Sequence, residues 1–257
     1  MKIAIITLSR EGARIAARLS REIPGAEIFV HEKVRRRKNE SSFGSILKLT
    51  QRCFSCYEGL IYIAPCGVVV RAIAPMIRHK ATDPAVVVVD AGGRYAISLL
   101  SGHEGGANDL AFKTANIIGA DPVVSTTTEA VKTLIVGIGC RRGAESKEIV
   151  AAIRAGLRKV QARVSQVRVL ASAEIKKDEK GLIAAAEELG LSLRFVPSDE
   201  IASTTKKFCH SKFVASKVNL PAVAEPAALL AGRRTRLILP KSIIHGVTVA
   251  IARECCM

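Results

Sequence analysis

Short, unbroken runs of Val, Ile and Leu alternate along this chain with stretches whose apolar residues fall three and four positions apart. KIAIITL (2–8), AEIFV (26–30), GLIYIA (59–64) and AVVVVDA (85–91) are separated by helical patterns over 10–21, 43–53 and 67–74. That order excludes all-helical and all-sheet folds. A strand buried on both faces needs no polar alternation, and strands joined through helices pair in parallel. Within 10–21, Ile15 and Leu19 stand four apart with Ala16 and Ala17 beside them, as one helix face requires. Pro75 limits the helix over 67–74. Gly92-Gly93 then turns the chain into YAISLL (95–100), followed by a helix over 104–118 and a strand in DPVVST (121–126).

The polar stretch TTTEAVKT (126–133) reads as a junction, because the alternation starts afresh after it. TLIVGIG (133–139), a helix over 145–160, VRVLAS (167–172), a helix over 180–189 and LRFVP (193–197) follow in the same rhythm. Ser198 is placed to cap a short helix. The pattern over 204–219 gives no clear element, 221–231 is helical, and TRLILP and VTVAIA (247–252) close the chain as strands. The expected architecture is two α/β domains, 1–130 and 131–257, with mostly parallel sheets flanked by helices.

Lys and Arg number 39 against 23 Asp and Glu, a formal charge of +16 that favours polyanionic partners. Nucleic acid fits poorly: aromatics are 4% with no Trp, so stacking platforms are scarce, and no zinc-finger or RNP-type motif occurs. The densest cationic run, Val34-Arg35-Arg36-Arg37-Lys38, reads as a solvated loop. No apolar run approaches the roughly 20 residues that span a bilayer. The first residues turn charged and periodic too soon for a secretory signal, so the expectation is a cytoplasmic protein without a membrane partner, with a homo-oligomer left open. Seven cysteines without such a signal point to reduced thiols, and Cys53 and Cys56 form a lone CxxC lacking the second pair a metal site needs.

Two glycine-rich turns each follow a strand and lead into a helix, where free N–H groups and the helix dipole attract anions. The first is SGHEGGAN (101–108), in which Gly102, Gly105 and Gly106 let backbone approach a ligand closely. A histidine beside a positive helix end stays neutral and able to take a proton, which makes His103 either a general base or simply a residue bonding its own loop. The second turn, GIGCRRG (137–143), falls short of the dinucleotide fingerprint, with Arg142 where a glycine is needed and no acid about twenty residues on to hold a ribose. Arg141 and Arg142 suit a different task, forking onto carboxylates. APCGVVVRAIAP (64–75) is a third such turn, with Cys66, Gly67 and Arg71 at its helix start. Asp83 and Asp90 flank the strand of AVVVVDA, and either is a candidate to orient His103 or a water.

VVVRAIAPMIRHKATDPAVVVVDAGGRYAISLLSGHEGGANDLA (68–111) closely resembles the N-terminal domain of the CbiG family, the cobalt-precorrin-5A hydrolases of anaerobic cobalamin biosynthesis. VGIGCRRGAESKEIVAAI (136–153), SAEIKKDEKGLIAAAEELGL (172–191) and AVAEPAALLAG (222–232) resemble the family's C-terminal domain, which is similar to the protein CobE. The resemblance implies an enzyme that opens the δ-lactone on ring A of cobalt-precorrin-5A and releases acetaldehyde. No cofactor of its own is implied, because the substrate carries the cobalt. Its acetate and propionate arms supply the polyanion that the positive charge calls for.

On that resemblance His103 is the base, with Ser101 an alternative nucleophile, Glu104 an aid to proton transfer and Asp90 an orienting group. The N–H groups of Gly105 and Gly106 are the oxyanion donors, and Gly67, Gly102, Asn108 and Gly139 shape the binding turns. Arg71, Arg141 and Arg142 grip carboxylate arms. Two features depart from the family pattern: TTTEAVKT replaces a variable middle region, and Glu129 in STTTEA stands where an acidic turn usually ends the first domain. A non-catalytic corrinoid-binding or handover protein is the alternative.

Overall fold

The computed structural model describes residues 1–209 and 220–255, and the chain divides into two compact units, Met1–Thr126 and Thr127–Met257. The first contains β1 (Ile3–Thr7), α1 (Arg10–Glu22), β2 (Glu27–His31), β3 (Glu40–Phe43), α2 (Ile46–Cys56) and β4 (Gly59–Ile63). It continues with α3 (Cys66–Ile73), β5 (Ala85–Val89), β6 (Tyr95–Leu100), α4 (Ala107–Ile118) and β7 (Asp121–Val123). These strands form one sheet in the order β3-β2-β1-β4-β5-β6-β7. The first five run parallel, whereas β6 pairs antiparallel with β5 and β7 runs with β6.

The unbroken apolar runs have the cause expected of them, burial on both faces. Ile5, Ile61 and Val87 pack on one face with Leu19 of α1 and Leu110 of α4. Ile6, Leu60, Tyr62 and Val88 pack on the other with Leu49 of α2 and Val69 of α3. Each such side chain contributes about 1.5–3 kcal/mol on leaving water.

The second unit holds α5 (Thr127–Ala130), β8 (Leu134–Gly139), α6 (Ser146–Lys159), β9 (Val167–Ala173), α7 (Lys180–Leu189) and β10 (Leu193–Val196). After these come α8 (Ser198–Ser203), α9 (Ala224–Leu230), β11 (Thr235–Ile244) and β12 (Val247–Glu254). Its sheet order is β10-β9-β8-β12-β11, with β8, β9 and β10 parallel and the β11–β12 hairpin antiparallel to them. Both units are thus α/β, with mostly parallel strands flanked by helices.

Three local expectations are corrected. Phe43 belongs to a strand, β3, and the helix after it begins only at Ile46 with Ser45 as its cap. Residues 39–43 are too polar to announce a strand, and edge strands need no continuous apolar run. The helix after SGHEGG begins at Ala107 and not at Glu104, because Gly106 takes a left-handed φ of +81° that no helix continues through. Ser198 is the first residue of α8, not its cap, and its hydroxyl has no hydrogen-bond partner. In TTTEAVKT, residues 127–130 form a helical turn, and Glu129 is held by Lys132 at 2.6 Å. Of the unassigned stretch over 204–219, residues 210–219 lie outside those described. No helix among the described residues is long and apolar enough to cross a membrane.

Candidate active site

Because β6 runs against β5 and the four strands parallel to it, its carboxyl end emerges at the edge of the sheet where β4 and β5 begin. Leu100 there pairs with Val86 at the start of β5. Ser101 turns the chain out of β6 with a left-handed φ of +58°, which costs a non-glycine residue about 1–2 kcal/mol. The residue is only 6% exposed, and its Oγ has no hydrogen-bond partner. A buried hydroxyl left unpaired costs a further about 1–3 kcal/mol.

Gly105 lies directly over this serine. A Cβ at position 105 would fall 2.3 Å from the Ser101 Cβ, so only glycine closes the loop there. The loop then fastens onto α4, the Ala107 and Asn108 N–H groups donating to the carbonyls of Ser101 (3.1 Å) and Gly102 (2.9 Å). Buried Asn108 accepts from Ser98 Oγ at 2.8 Å and donates to Thr126 Oγ1 at 3.1 Å. Gly102 fits against this network, since a Cβ there would meet the Thr126 methyl at 2.5 Å. The N–H groups of Gly105 and Gly106 make no hydrogen bond among the described residues.

His103 is exposed at the loop tip. Glu104, also exposed, pairs with Lys80 Nζ at 2.6 Å, and that contact holds its carboxyl below the usual range. Glu104 is therefore ionised near neutrality and serves as a tether more readily than as a proton donor. The arrangement offers a strained, unpaired hydroxyl, an accessible imidazole and two free N–H donors within six consecutive residues. That is the inventory an acyl-transfer centre draws on.

Other predicted residues of this unit do not converge here. Gly67, Arg71 and Asp90 lie past the carboxyl ends of β4 and β5, at the opposite edge, roughly 16 Å away along a five-residue strand. Asp90 and His103 therefore do not meet. The Asp90 carboxylate accepts instead from the N–H groups of Arg94 (2.7 Å), Tyr95 (2.8 Å) and Gly92 (3.1 Å), closing the β5–β6 turn. Burial tends to raise its pKa, but these donors together with the Arg94 guanidinium win and hold it below the usual carboxylate range. A depressed folded value means that this stabilisation is complete above about pH 4 and lost as pH falls further. Asp90→Ala is expected to cost about 1–2 kcal/mol in urea unfolding while leaving turnover unchanged. Arg71 folds back along α3 onto the Gly67 carbonyl at 2.9 Å. Asp83 lies at the same edge as Ser101 but caps its own turn, accepting from the N–H groups of Arg78 (2.9 Å) and His79 (3.1 Å).

Of the cysteine motif, only Cys53 packs into the core. Cys53 is buried in α2, its thiol pushed up to about 11 by that burial, and it is unbridged, as is exposed Cys56. Cys66 opens α3 half-buried and free.

In the second unit the arginine turn precedes α6, whose first residue is Ser146. Arg141 pairs with Glu148 at 3.2 Å, and Arg142 is exposed. The anion position of this turn is filled from within: Glu179 Oε1 accepts the Gly143 N–H at 2.7 Å, with Lys176 near its other oxygen. Glu174 likewise accepts from the Ser198 N–H, at 3.1 Å. Gly137 answers to packing, because the Ala224 carbonyl at the start of α9 occupies the place of its Cβ. Gly139 meets only ordinary contacts.

Sequence reasoning passed over Ser98, Thr126 and Lys80. The first two are isolated hydroxyls whose role exists only once Asn108 is between them. Lys80 had a weak signal, a cation in the loop before β5.

Comparison with known proteins follows the same two-part division. The family model described as cobalamin synthesis G N-terminal matches residues 48–129, and that described as cobalamin synthesis G C-terminus matches 134–252. A cobalt-precorrin-5A hydrolase of Priestia megaterium is 26% identical over 352 residues, covering 97% of this chain and 94% of the relative. That alignment is longer than the chain itself, so part of the relative has no counterpart here. A cobalt-precorrin-5A hydrolase of Salmonella typhimurium is 41% identical over 49% of this chain, a match spanning 36% of the relative's length. Protein CobE of Sinorhizobium sp is 28% identical over 49% of this chain and 83% of its own. Both halves of one family's pattern, in order and covering most of the residues, place this chain in the cobalamin synthesis G (CbiG) family.

Proposed function

We propose that the chain hydrolyses cobalt-precorrin-5A in cobalamin biosynthesis, opening the ring A δ-lactone with release of acetaldehyde, at the loop from Ser101 to Gly106. The names borne by its relatives support the substrate. The observation that carries the site is the left-handed, buried and unpaired Ser101 hydroxyl, a conformation that stability alone disfavours.

In this reading the loop shifts when substrate binds and brings the Ser101 Oγ, buried and unpaired in the free chain, to the lactone carbonyl carbon, where it attacks while His103 takes the hydroxyl proton. The Oγ–C bond forms and the ring C–O bond breaks; the alkoxide so freed on the two-carbon fragment closes to the acetaldehyde C=O as its C–C bond to the macrocycle breaks, and the macrocycle carbon, left with that electron pair, takes the proton from His103. Water, deprotonated by the same imidazole, then cleaves the seryl ester. The N–H groups of Gly105 and Gly106 face the negative charge that builds on the carbonyl oxygen. Cobalt enters as part of the substrate.

Incubation of the chain with cobalt-precorrin-5A is expected to yield acetaldehyde, and His103→Ala to lower its rate by about 10²–10⁴-fold, the usual share of a general base. Corrinoid binding without acetaldehyde would instead identify a handover protein. Near-normal conversion by the His103 variant would remove the imidazole from the mechanism.

A further inference from the structure

At the edge of the sheet that carries Ser101, a groove of about 380 Å³ opens between the carboxyl end of α2 and the loop joining α3 to β5. This volume falls within the about 300–1,000 Å³ of small-molecule sites. Phe54, Pro75, Met76 and Pro84 give it apolar walls, and Gln51 and Arg78 add polar groups. Asp83 grips the backbone N–H of Arg78 at 2.9 Å and so fixes where that residue leaves the loop. The Arg78 guanidinium itself makes no hydrogen bond or ion pair among the described residues. The same loop supplies Lys80, whose 2.6 Å contact with Glu104 joins the groove wall to the loop of Ser101.

We infer that this groove seats one apolar edge of a carboxylate-fringed tetrapyrrole, with Arg78 holding a carboxylate arm. The inference rests on the reaction proposed above and assigns to Arg78 the grip that Arg71, at the far edge, cannot give to a substrate at Ser101. An unpaired guanidinium beside apolar walls complements a flat ring bearing carboxylates. Phosphate or another small anion would have no use for the walls, and an uncharged ring would leave Arg78 unused.

The test is titration of the full chain with cobyrinic acid, a stable corrin with free carboxylate arms, followed by visible absorbance. Arg78→Gln is expected to weaken binding about tenfold, and Arg78→Lys to recover part of the loss. Arg35→Gln, which removes the same charge from an exposed loop elsewhere, is expected to change nothing. Cobinamide, whose arms are amides, is expected to bind wild type and Arg78→Gln alike. Unchanged cobyrinic acid affinity in Arg78→Gln, or an equal loss in Arg35→Gln, overturns the groove assignment. The reaction is judged separately: Ser101→Ala should bind cobyrinic acid normally yet release no acetaldehyde. Loss at Arg78 with full turnover by Ser101→Ala would keep the groove and discard the nucleophile.

Discussion

Replacing Ser101 with alanine is expected to make the chain more stable and to stop it working. The substitution deletes a buried hydroxyl that has no partner, which recovers about 1 kcal/mol, or about 2–4 °C in melting temperature for a chain of this size. Glycine at this position also relieves the left-handed backbone, worth about 1–2 kcal/mol, against about 0.5–1 kcal/mol for the greater freedom of the unfolded chain. Both variants should therefore melt at or above the wild-type temperature. Turnover of cobalt-precorrin-5A should fall by about 10³-fold or more, as when a nucleophile is removed from an acyl-transfer site. Stability gained where activity is lost is the mark of a residue held in place for chemistry and not for folding. A serine kept only for structure would give the reverse, lower melting and full turnover. Thermal melts and acetaldehyde release on the same preparations decide between them.

The fold was open to reading because burial leaves a pattern in one dimension. Ile3 to Thr7 and Ala85 to Val89 are buried along their whole length, and their unbroken apolar runs record it. What stayed hidden depends on direction. Nothing in YAISLL states that it pairs antiparallel with β5, yet that reversal sends Ser101 to one edge of the sheet and leaves Asp90, Gly67 and Arg71 at the other. A cluster of candidates drawn from neighbouring sequence therefore splits into two sites. Glycines mislead in a related way. Gly102 and Gly137 sit in a turn and a strand that suggest anion binding, but the first makes room for Thr126 and the second for a helix. The sequence also shows charge without showing who neutralises it. Glu179 occupies the Gly143 N–H that the second unit's arginine turn had seemed to reserve for a ligand.

The same close approach makes Gly137→Ala the most damaging small substitution expected in the second unit. Gly137 lies in the middle of β8, the central strand, paired with Ala171 of β9 on one side and Ala250 of β12 on the other. Any shift of its backbone must be carried by both neighbours. A methyl group at its Cβ would run into the Ala224 carbonyl and come within 2.9 Å of the Ala228 Cβ, both on α9. Neither obstacle is a flexible side-chain end, so the helix must lift. Lifting α9 uncovers Ala227 and Ala228, both fully buried, and draws Glu225 away from the N–H groups of Cys209 and Lys241 that its carboxylate accepts at 2.6 and 2.7 Å. Overpacking against backbone costs about 3 kcal/mol, and the loss of those charged hydrogen bonds adds to it. The expected result is a fall of at least about 6 °C in melting temperature, with hydrogen exchange accelerated first in α9 and β8. Gly139→Ala, two residues along the strand, meets nothing closer than 3.5 Å and serves as the matched control. Equal melting of the two variants would mean that α9 does not pack against Gly137 as closely as this geometry requires.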